Sequence, residues 1–372
     1  MNFTIQNQTY NAQNTLIIAE LGTSHQGDPT KAQELVCAAA EAGADCVKVQ
    51  LVYADEILHP NTGLVALPGG NSRLYDRFKA LETSKSFFAD LKTYIESKGC
   101  LFLCTPFGIR SARELRDLQP KAVKIASPEL NHQNLLEETA SYRLPTLLSG
   151  GVSTLGDIET ALEIMRTSNA PICLLHCITA YPAPPEEYNL RILKNLSGIF
   201  GVSIGVSDHS LDPEIVPALS VAMGAAVVEK HFCLSRNDPG LDDPIALPPA
   251  EFARMVKAVR QASAEEPGDV VKRFAQERGA LLTQAVLGDG VKRQAPAETA
   301  NYGRTNRSLH ALRDIQAGEP IAEDMFAPLR TEKVLRPGLP PSWGPRIIGK
   351  IATAYIPAGE GIRFGDLVNP PS

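Results

Sequence analysis

Short runs of aliphatic residues alternate with longer amphipathic stretches through the first two-thirds of this chain. The runs have the length and β-branched content of buried strands, and the apolar spacing between them is that of helices packed on a sheet. Eight such runs follow one another, at residues 16–20, 45–51, 100–104, 122–126, 146–149, 172–176, 202–206 and 226–230. The clearest helical stretches lie at residues 29–42, 84–97 and 249–264. Eight strand–helix units in succession predict an α/β protein built as a closed (β/α)8 TIM barrel.

A doubly wound open sheet is the alternative architecture for the same alternation. Its dinucleotide-binding members carry a glycine-rich turn between the first strand and the first helix. The residues that follow the first run are Leu-Gly-Thr-Ser-His, which do not form such a turn. We therefore expect the barrel.

The pattern changes after the last strand–helix unit. Residues 274–287 have the spacing of one further helix, and the glycines and proline at 288–296 indicate a linker. From residue 307 onward, short apolar pieces are separated by turn signals, including two Ala-Gly-Glu turns that follow Ile315 and Ile356. These two turns suggest a weak internal duplication. We predict a catalytic barrel over residues 1–285, a linker over 286–304 and a small β-rich domain over 305–372.

Composition and charge narrow the possible partners and compartments. Hydrophobic residues make up 44% of the chain and the net charge is −6, with no long block of Lys or Arg. Nucleic acid and anionic membranes are therefore not expected partners. The longest apolar runs are shorter than the roughly 20 residues of a membrane-spanning helix, and the polar N-terminus does not resemble a signal peptide. Most of the seven cysteines lie in apolar runs, as buried reduced thiols do. We predict a cytoplasmic protein.

Polar and ionisable residues collect where the predicted strands end. The carboxyl ends of the strands meet at one face of a TIM barrel, and that face carries the chemistry. A single such residue is more often solvated or ion-paired than functional, but here every strand contributes one or more. The strand-end residues are Glu20, Lys48, Gln50, Thr105, Lys124, Ser127, Glu129, Ser149, Tyr181, Ser207, His209, Glu229 and His231.

Two lysines within strands predict an anion site. Lys48 and Lys124 alternate with aliphatic neighbours, so they point away from the apolar face of each strand and into the barrel. A buried ammonium is costly unless it meets an anion. Together with the hydroxyls of Thr105, Ser127 and Ser149, the lysines predict a cradle for a carboxylate and a phosphate.

Two histidines at neighbouring strand ends predict a metal site. His209 and His231 follow the seventh and eighth strands, where two imidazoles can share a metal ion and leave positions open for substrate. With a carboxylate at Glu229 nearby, the ion would be Mn²⁺ or Mg²⁺, or less favourably Zn²⁺. The alternative is two histidines that are hydrogen-bonded independently of each other.

The order of these motifs resembles that of the sialic acid synthases. The matching segments include Ile-Ala-Glu-Leu-Gly at 18–22, His-Gln-Gly at 25–27, Lys-Val-Gln at 48–50, Thr-Pro-Phe at 105–107, Lys-Ile-Ala-Ser at 124–127, Ser-Asp-His at 207–209, Glu-Lys-His-Phe at 229–232 and Gly-Leu-Asp at 240–242. The tail, with Arg-Ser-Leu at 307–309 and Arg-Pro-Gly at 336–338, resembles the antifreeze-like (SAF) domain that closes those enzymes.

The resemblance implies a reaction. Carbon 3 of phosphoenolpyruvate attacks the aldehyde of an open-chain N-acetylated hexosamine, and water attacks carbon 2. Phosphate then leaves by carbon–oxygen cleavage, which gives a nonulosonic acid. A divalent metal, Mn²⁺ or Mg²⁺, on His209 and His231 would polarise the aldehyde, no organic cofactor is expected, and Glu20 would position a water molecule or move its proton.

The resemblance also implies roles for further residues. Lys48, Lys124, Thr105, Ser127, Ser149 and Ser207 would hold phosphoenolpyruvate. The positions implied to hold the substrates, mainly the sugar, are Gln50, Glu129, Thr179, Tyr181, Glu229 and Asp242. Arg336 matches an arginine that contacts the sugar's N-acetyl group from the partner subunit, which implies a domain-swapped homodimer.

At several positions near the implied sugar-binding residues, this chain carries a residue other than the one usual in the family. Pro128 stands where glycine is usual, Gly150 where threonine is usual, and Asp243 where histidine is common. Thr179-Ala180 also precedes Tyr181 in place of the residues typical of N-acetylmannosamine users. These departures favour a less common aminosugar, a diacetamido sugar of the legionaminic or pseudaminic type, and N-acetylmannosamine is the alternative. Two other functions stay open: a Schiff-base aldolase or lyase using Lys48, Lys124 or Lys230, and a catalytically inactive sugar-binding protein.

Overall fold

Eight parallel strands form the centre of the computed structural model, which describes residues 1–67, 70–332 and 334–368. The prediction of a (β/α)8 barrel is confirmed. The barrel strands, first to eighth, are Leu16–Gly22, Cys46–Leu51, Leu101–Pro106, Val123–Ile125, Thr146–Ser149, Ile172–Cys177, Ser203–Asp208 and Val227–His231. Hydrogen bonds link them in the order third, second, first, eighth, seventh, sixth, fifth, fourth, and the third and fourth strands pack side by side to close the ring.

Helices surround this sheet and cover its apolar outer face. The longer helices are Pro29–Glu41, Lys85–Ser97, Ile109–Asp117, Gln133–Ala140, Leu155–Arg166, Ile192–Phe200, Ile215–Ala222, Pro249–Ala264, Pro267–Glu277 and Ala280–Leu287, and the shorter ones are Ala54–Ile57, Leu74–Ala80 and Gly344–Ile347. Outward-facing strand residues such as Val47 and Val49 pack in the large core with these helices. Inward-facing residues such as Leu16, Ile18 and Leu175 form a second core inside the barrel. The strands thus bury both faces, as in other all-parallel sheets.

A hairpin at the N-terminus closes the bottom of the barrel. Its strands, Phe3–Ile5 and Gln8–Tyr10, pair in antiparallel register, and Phe3 and Ile5 are buried in the inner core. The sequence predicts only a polar segment here, because two strands of three residues are too short to show an alternation of apolar and polar positions. A second hairpin, Leu64–Leu67 with Gly70–Arg73, lies near the opposite end.

The helix predicted over residues 274–287 is two helices. Pro267–Glu277 ends at Arg278, and Ala280–Leu287 begins after Gly279. Gly279 has φ of +92°, a conformation that breaks a helix and that few residues other than glycine adopt. The single-helix prediction was wrong because it relied on apolar spacing across this glycine.

The C-terminal domain is β-rich, as predicted. Arg307–Ala311 pairs with Phe326–Arg330, and Ile351–Ala352 pairs with Leu367–Val368. Ile315 and Ile356, which precede the two Ala-Gly-Glu turns, are paired by two backbone hydrogen bonds of 3.0 and 2.9 Å. The two similar turns therefore pack together at the centre of the domain.

Among the described residues, none of the helices is both long and apolar enough to cross a membrane. The seven cysteines form no disulfide, and all except Cys37 are buried.

Candidate active site

Two lysines and two glutamates form a buried charged cluster inside the barrel. Nζ of Lys48 lies 2.5 Å from Oε2 of Glu20 and 3.7 Å from Oε2 of Glu229. Nζ of Lys124 lies 3.5 Å from Oε1 of the same Glu229. Both lysines point inward, as the alternation along their strands predicts, and all four side chains are buried. The barrel interior therefore holds paired charges at its carboxyl end.

The pKa values of the two lysines are shifted in opposite directions. Burial alone would lower the pKa of Lys48, but Glu20 and Glu229 outweigh it and raise that pKa. For Lys124, burial dominates and lowers the pKa. Burial would raise the pKa of Glu229, but the two lysines lower it to about 2. Glu229 therefore stays ionised between the two lysines.

Hydroxyl groups from three strand ends contact this cluster, and a fourth, that of Ser127, contacts the loop after the fifth strand. Nζ of Lys124 donates to Oγ of Ser149 at 2.8 Å, and Nζ of Lys48 donates to Oγ1 of Thr105 at 3.5 Å. Oγ of Ser207 donates to Glu229 at 2.8 Å. The hydroxyl of Ser127, at the end of the fourth strand, accepts from a backbone amide at 3.0 Å. The residues predicted to form an anion cradle are thus brought together.

Glu20 links this cluster to the mouth of the barrel. Its Oε2 meets Lys48, and its Oε1 accepts from Nε2 of Gln50 at 2.7 Å. Gln50 itself lines a cavity of about 330 Å³ that opens toward the small domain. The carboxylate is therefore fixed at both oxygens, on the boundary between the charged interior and the cavity.

The two strand-end histidines lie side by side. The ring centroids of His209 and His231 are 5.4 Å apart. Nδ1 of His209 is 2.7 Å from the carbonyl oxygen of Ile178, and the Tyr181 ring stacks on the same imidazole at 4.4 Å. Nδ1 of His231 is 3.9 Å from a carboxylate oxygen of Asp242, and burial lowers the His231 pKa to about 3.

This pair satisfies part of what a metal site needs. A backbone carbonyl that orients one imidazole nitrogen is a common support for a metal-binding histidine. An imidazole must also be neutral to bind, and the lowered pKa of His231 favours this. Burial would lower the pKa of His209 too, but Cys177 outweighs it and raises that pKa to about 9, which opposes metal binding. Within the part of the chain that the structure describes, however, no group of three or more His, Cys, Asp or Glu side chains is arranged to hold an ion. The two imidazoles therefore fit a metal only as a pair, with water or substrate oxygens as the other ligands.

The cavity above the cluster lies between the barrel and the small domain. Its polar lining includes Gln50, Thr179, Tyr181 and Asp242 from the barrel and Asn301, Thr305, Arg330 and Glu332 from later segments. Its apolar lining includes Val65, Leu74, Phe78 and Phe107. Burial raises the pKa of the Asp242 carboxyl. The cavity suits a ligand with both hydroxyl and methyl groups.

Two residues that the resemblance implies for the sugar have other partners in this structure. Both carboxylate oxygens of Glu129 bind arginines of the small domain: Oε2 lies 2.5 Å from Nε of Arg307, and Oε1 lies 2.7 Å from Arg330. Arg336 lies within the small domain, 2.6 Å from Asp366. Within one chain, Glu129 therefore joins the two domains and Arg336 does not line the cavity.

The residues that the C-terminal segments supply to the site were not predicted from the sequence. Arg330 lines the cavity, and the fully buried Arg307 donates to three carbonyl groups in two barrel segments, those of Glu56 and Ile57 after the second strand and that of Phe107 after the third. Arg307 lies in a segment that carries the family resemblance, so this resemblance was available as a signal. No local signal distinguishes Arg330 from other strand arginines.

Comparison with known proteins agrees with this geometry. The model of the NeuB family matches residues 35–271, and that of the SAF domain matches residues 306–368. N,N'-diacetyllegionaminic acid synthase of Campylobacter jejuni is 33% identical, over 94% of this chain and 99% of that protein. Pseudaminic acid synthase of the same species is 31% identical, over 94% of this chain and 96% of that protein. The crystal structure of spore coat polysaccharide biosynthesis protein SpsE from Bacillus subtilis superposes with a TM-score of 0.81 at 32% identity, over the whole of both chains.

Proposed function

The chain belongs to the NeuB family, and we propose that it condenses phosphoenolpyruvate with an open-chain N-acetylated hexosamine to give a nonulosonic acid and inorganic phosphate. A carbon–carbon bond forms between carbon 3 of phosphoenolpyruvate and the aldehyde carbon. Water adds at carbon 2, and the carbon–oxygen bond to phosphate breaks. The observation that carries this proposal is the buried cluster of Lys48, Lys124 and strand-end hydroxyls beneath two imidazoles.

The lysine cluster would bind phosphoenolpyruvate. Lys124, with Ser149 at 2.8 Å, and Lys48, with Thr105 at 3.5 Å, supply charged donors where water is excluded. Charge-assisted hydrogen bonds of this kind are among the stronger ones in proteins. They also neutralise the charge that develops on the leaving phosphate. Ser127 and Ser207 would complete the set.

Glu20 would position the water that adds at carbon 2. Its carboxylate is held by Gln50 on one oxygen and by Lys48 on the other. A carboxylate fixed next to the phosphoenolpyruvate site can accept a proton from that water, provided that it lies within hydrogen-bond reach.

We propose that the two imidazoles hold a divalent ion, Mn²⁺ or Mg²⁺. A bound ion would supply Lewis-acid polarisation of the aldehyde oxygen. The chain's own contribution is to orient the pair: the Ile178 carbonyl fixes the ring of His209, and the Tyr181 ring covers one face of it.

The cavity favours an unphosphorylated acetamido sugar. Its described charged lining residues are Asp242, Arg330 and Glu332, which are net negative and would repel a second phosphate. The apolar side, with Phe78 and Phe107, offers contact for acetyl methyl groups. A diacetamido sugar carries two such methyls, and the synthases of legionaminic and pseudaminic acid are among the relatives. We therefore propose a diacetamido hexose ahead of N-acetylmannosamine.

Phosphate release tests the proposal directly. The purified protein is stripped of metal with a chelator, Mn²⁺ is restored, and phosphate release from phosphoenolpyruvate is measured across a panel of N-acetylated and diacetamido hexoses. We expect release that requires the ion and one sugar of the panel. Release without added ion from stripped protein would contradict the metal proposal, and no release with any sugar would contradict the synthase.

One observation favours the Schiff-base alternative, because burial lowers the pKa of Lys124 and would favour a neutral amine. Lys230 is a poor candidate, since its Nζ lies 2.6 Å from Asp208 in a buried ion pair. Borohydride added with each substrate distinguishes the two reactions. Covalent trapping of substrate on Lys124 would favour the aldolase.

We also propose that the protein forms the domain-swapped homodimer that the resemblance implies. The small domain contacts the barrel through Arg307 and Glu129, and the same contacts made between two chains would give the swapped form. Light scattering gives the oligomeric state. Mixing an inactive barrel variant with an inactive small-domain variant restores activity only if chains share sites.

A further inference from the structure

One buried carboxylate from the segment before the small domain binds two barrel loops at once. Oε2 of Glu298 accepts from the backbone amide of Thr179 at 2.9 Å and from that of Val152 at 3.2 Å. Glu298 is 1% exposed. Thr179 follows the sixth barrel strand and Val152 follows the fifth, so one side chain bridges neighbouring strand ends.

Two asparagines, Asn301 of the same segment and Asn306 at the start of the small domain, bind the carbonyl groups of the same two residues. Nδ2 of Asn301 donates to the carbonyl of Thr179 at 2.8 Å, and Nδ2 of Asn306 donates to that of Val152 at 2.9 Å. The three side chains, Glu298, Asn301 and Asn306, are called the clamp below. The clamp thus satisfies both the amide and the carbonyl group of each loop residue.

The two clamped residues belong to the loops that form the site. Val152 directly follows Gly151, whose amide donates to the hydroxyl of Ser127 at 3.0 Å. Thr179 lines the sugar cavity two residues before Tyr181. Movement of either loop would therefore displace groups of the substrate site.

The backbone of Val152 shows that its loop needs support. Its φ is +42°, a region that β-branched residues rarely adopt. Such a conformation is strained and persists only where surrounding contacts determine it. At Val152 those contacts include Glu298 on the amide and Asn306 on the carbonyl.

We infer that the clamp is a positioning device for the reaction, and that Glu298 is its central residue. The segment predicted as a linker would then be part of the active-site wall. The inference rests on the proposed synthase reaction, because it states that catalysis depends on the clamp's hydrogen bonds. Glu298 would not touch substrate and acts through Val152 and Thr179.

Two variants of Glu298 separate hydrogen bonding from charge. In Glu298→Ala both loop amides lose their acceptor, and we expect kcat for phosphate release to fall by about 10- to 100-fold, as misplacement of reacting groups does. In Glu298→Gln the amide oxygen can still accept from both loops, and we expect most of kcat to return. The matched control is Asp289→Ala, a surface carboxylate of the same segment whose side chain is paired with Arg293.

Hydrogen exchange provides a readout that does not depend on activity. Peptides covering residues 149–153 and 177–181 report the amides of Val152 and Thr179. We expect both to exchange faster in Glu298→Ala than in the wild-type protein or in Glu298→Gln. If Glu298→Ala does not fold, Asn306→Ala removes the donor to the Val152 carbonyl together with the acceptor of the Gly303 amide, and is expected to raise exchange around Val152 and lower kcat.

The outcomes distinguish the two proposals. Wild-type protein that releases no phosphate with any sugar contradicts the synthase, whereas exchange still reports on the clamp. Active wild-type protein with unchanged kcat in Glu298→Ala and Asn306→Ala overturns the positioning role. Glu298→Gln that loses as much kcat as Glu298→Ala, with exchange unchanged, also overturns it, since charge rather than hydrogen bonding would then matter.

Discussion

Nε of Arg307 lies 2.5 Å from Oε2 of Glu129, and neither side chain reaches solvent. Arg330 occupies the other carboxylate oxygen of Glu129 at 2.7 Å. Burial alone would raise the pKa of Glu129, but the two arginines outweigh it and lower that pKa. This triad fastens the small domain to the end of the fourth barrel strand, directly beside the cavity.

Replacing Glu129 with Gln removes the charge that balances two arginines. Breaking a buried ion pair from one side typically costs about 3–5 kcal/mol, because the remaining charge has no partner. We expect a loss of that order in the free energy of unfolding, measured by urea denaturation at pH 7. The control is Glu319→Gln, whose partner Arg313 is exposed, and which should change stability far less. Equal stability of the two variants would contradict the structural role of Glu129.

The same triad predicts the direction of a pH dependence. Since the pKa of Glu129 is lower in the folded protein than in the unfolded chain, its contribution is fully present above the unfolded value of about 4.3. It is lost as the pH falls through the folded pKa. Urea denaturation at several acidic pH values should therefore show the wild-type protein losing its advantage over Glu129→Gln.

Lys124→Met tests the anion cradle without emptying the core. We expect kcat/KM for phosphoenolpyruvate to fall by about 100-fold or more, as removal of one preorganised donor does. Stability should fall less than in Glu129→Gln, because methionine has a similar volume and Glu229 keeps Lys48 as a partner. Phosphate release and thermal unfolding measure the two effects. Lys85→Met, at an exposed lysine paired with Asp117, is the control. Wild-type activity in Lys124→Met would remove the lysine from the mechanism.

The barrel and its interior lysines could be predicted because their signals are local. Aliphatic runs mark each strand, and the alternation along residues 46–51 fixes the side of the strand on which Lys48 lies. The burial of that lysine then follows from the closed sheet. The strand-end hydroxyls and histidines converge for the same reason, since parallel strands carry their ends to one face.

The contacts of the C-terminal segments could not be predicted in this way. Glu298 bonds to residues 119 and 146 positions away, and nothing in its polar, proline-containing surroundings separates it from a solvated linker residue. Arg330 and Arg336 lie close together in sequence, and only the strand pairing of the small domain shows which of them faces the cavity. Hydrogen bonds between residues far apart in the chain leave no periodic pattern in the sequence.

Gly151→Ala tests how closely the site loops approach each other. A Cβ at this position would lie 2.4 Å from Oγ1 of Thr179 and 2.9 Å from Oγ of Ser127, closer than carbon and oxygen can pack. We expect at least about a tenfold loss of kcat/KM, because separating the loops misplaces substrate contacts. Gly150→Ala is the matched control, since its Cβ would meet flexible aliphatic side chains, those of Ile158 at 3.3 Å and Leu174 at 3.5 Å. Comparable losses in both variants would contradict this explanation.

The roles of two arginines in sugar binding can be separated by substitution. Arg330 lines the cavity of its own chain, whereas Arg336 binds Asp366 and a carbonyl group within the small domain. We expect Arg330→Ala to raise KM for the sugar by about tenfold or more, since a charge-assisted contact contributes about 1.5–3 kcal/mol. KM for phosphoenolpyruvate should change little, because the lysine cluster lies deeper in the barrel. Initial-rate measurements with each substrate varied in turn provide both constants. If Arg336→Ala raises KM for the sugar and Arg330→Ala does not, the sugar contact is the one that the family resemblance implies, made by Arg336 to the partner subunit's barrel.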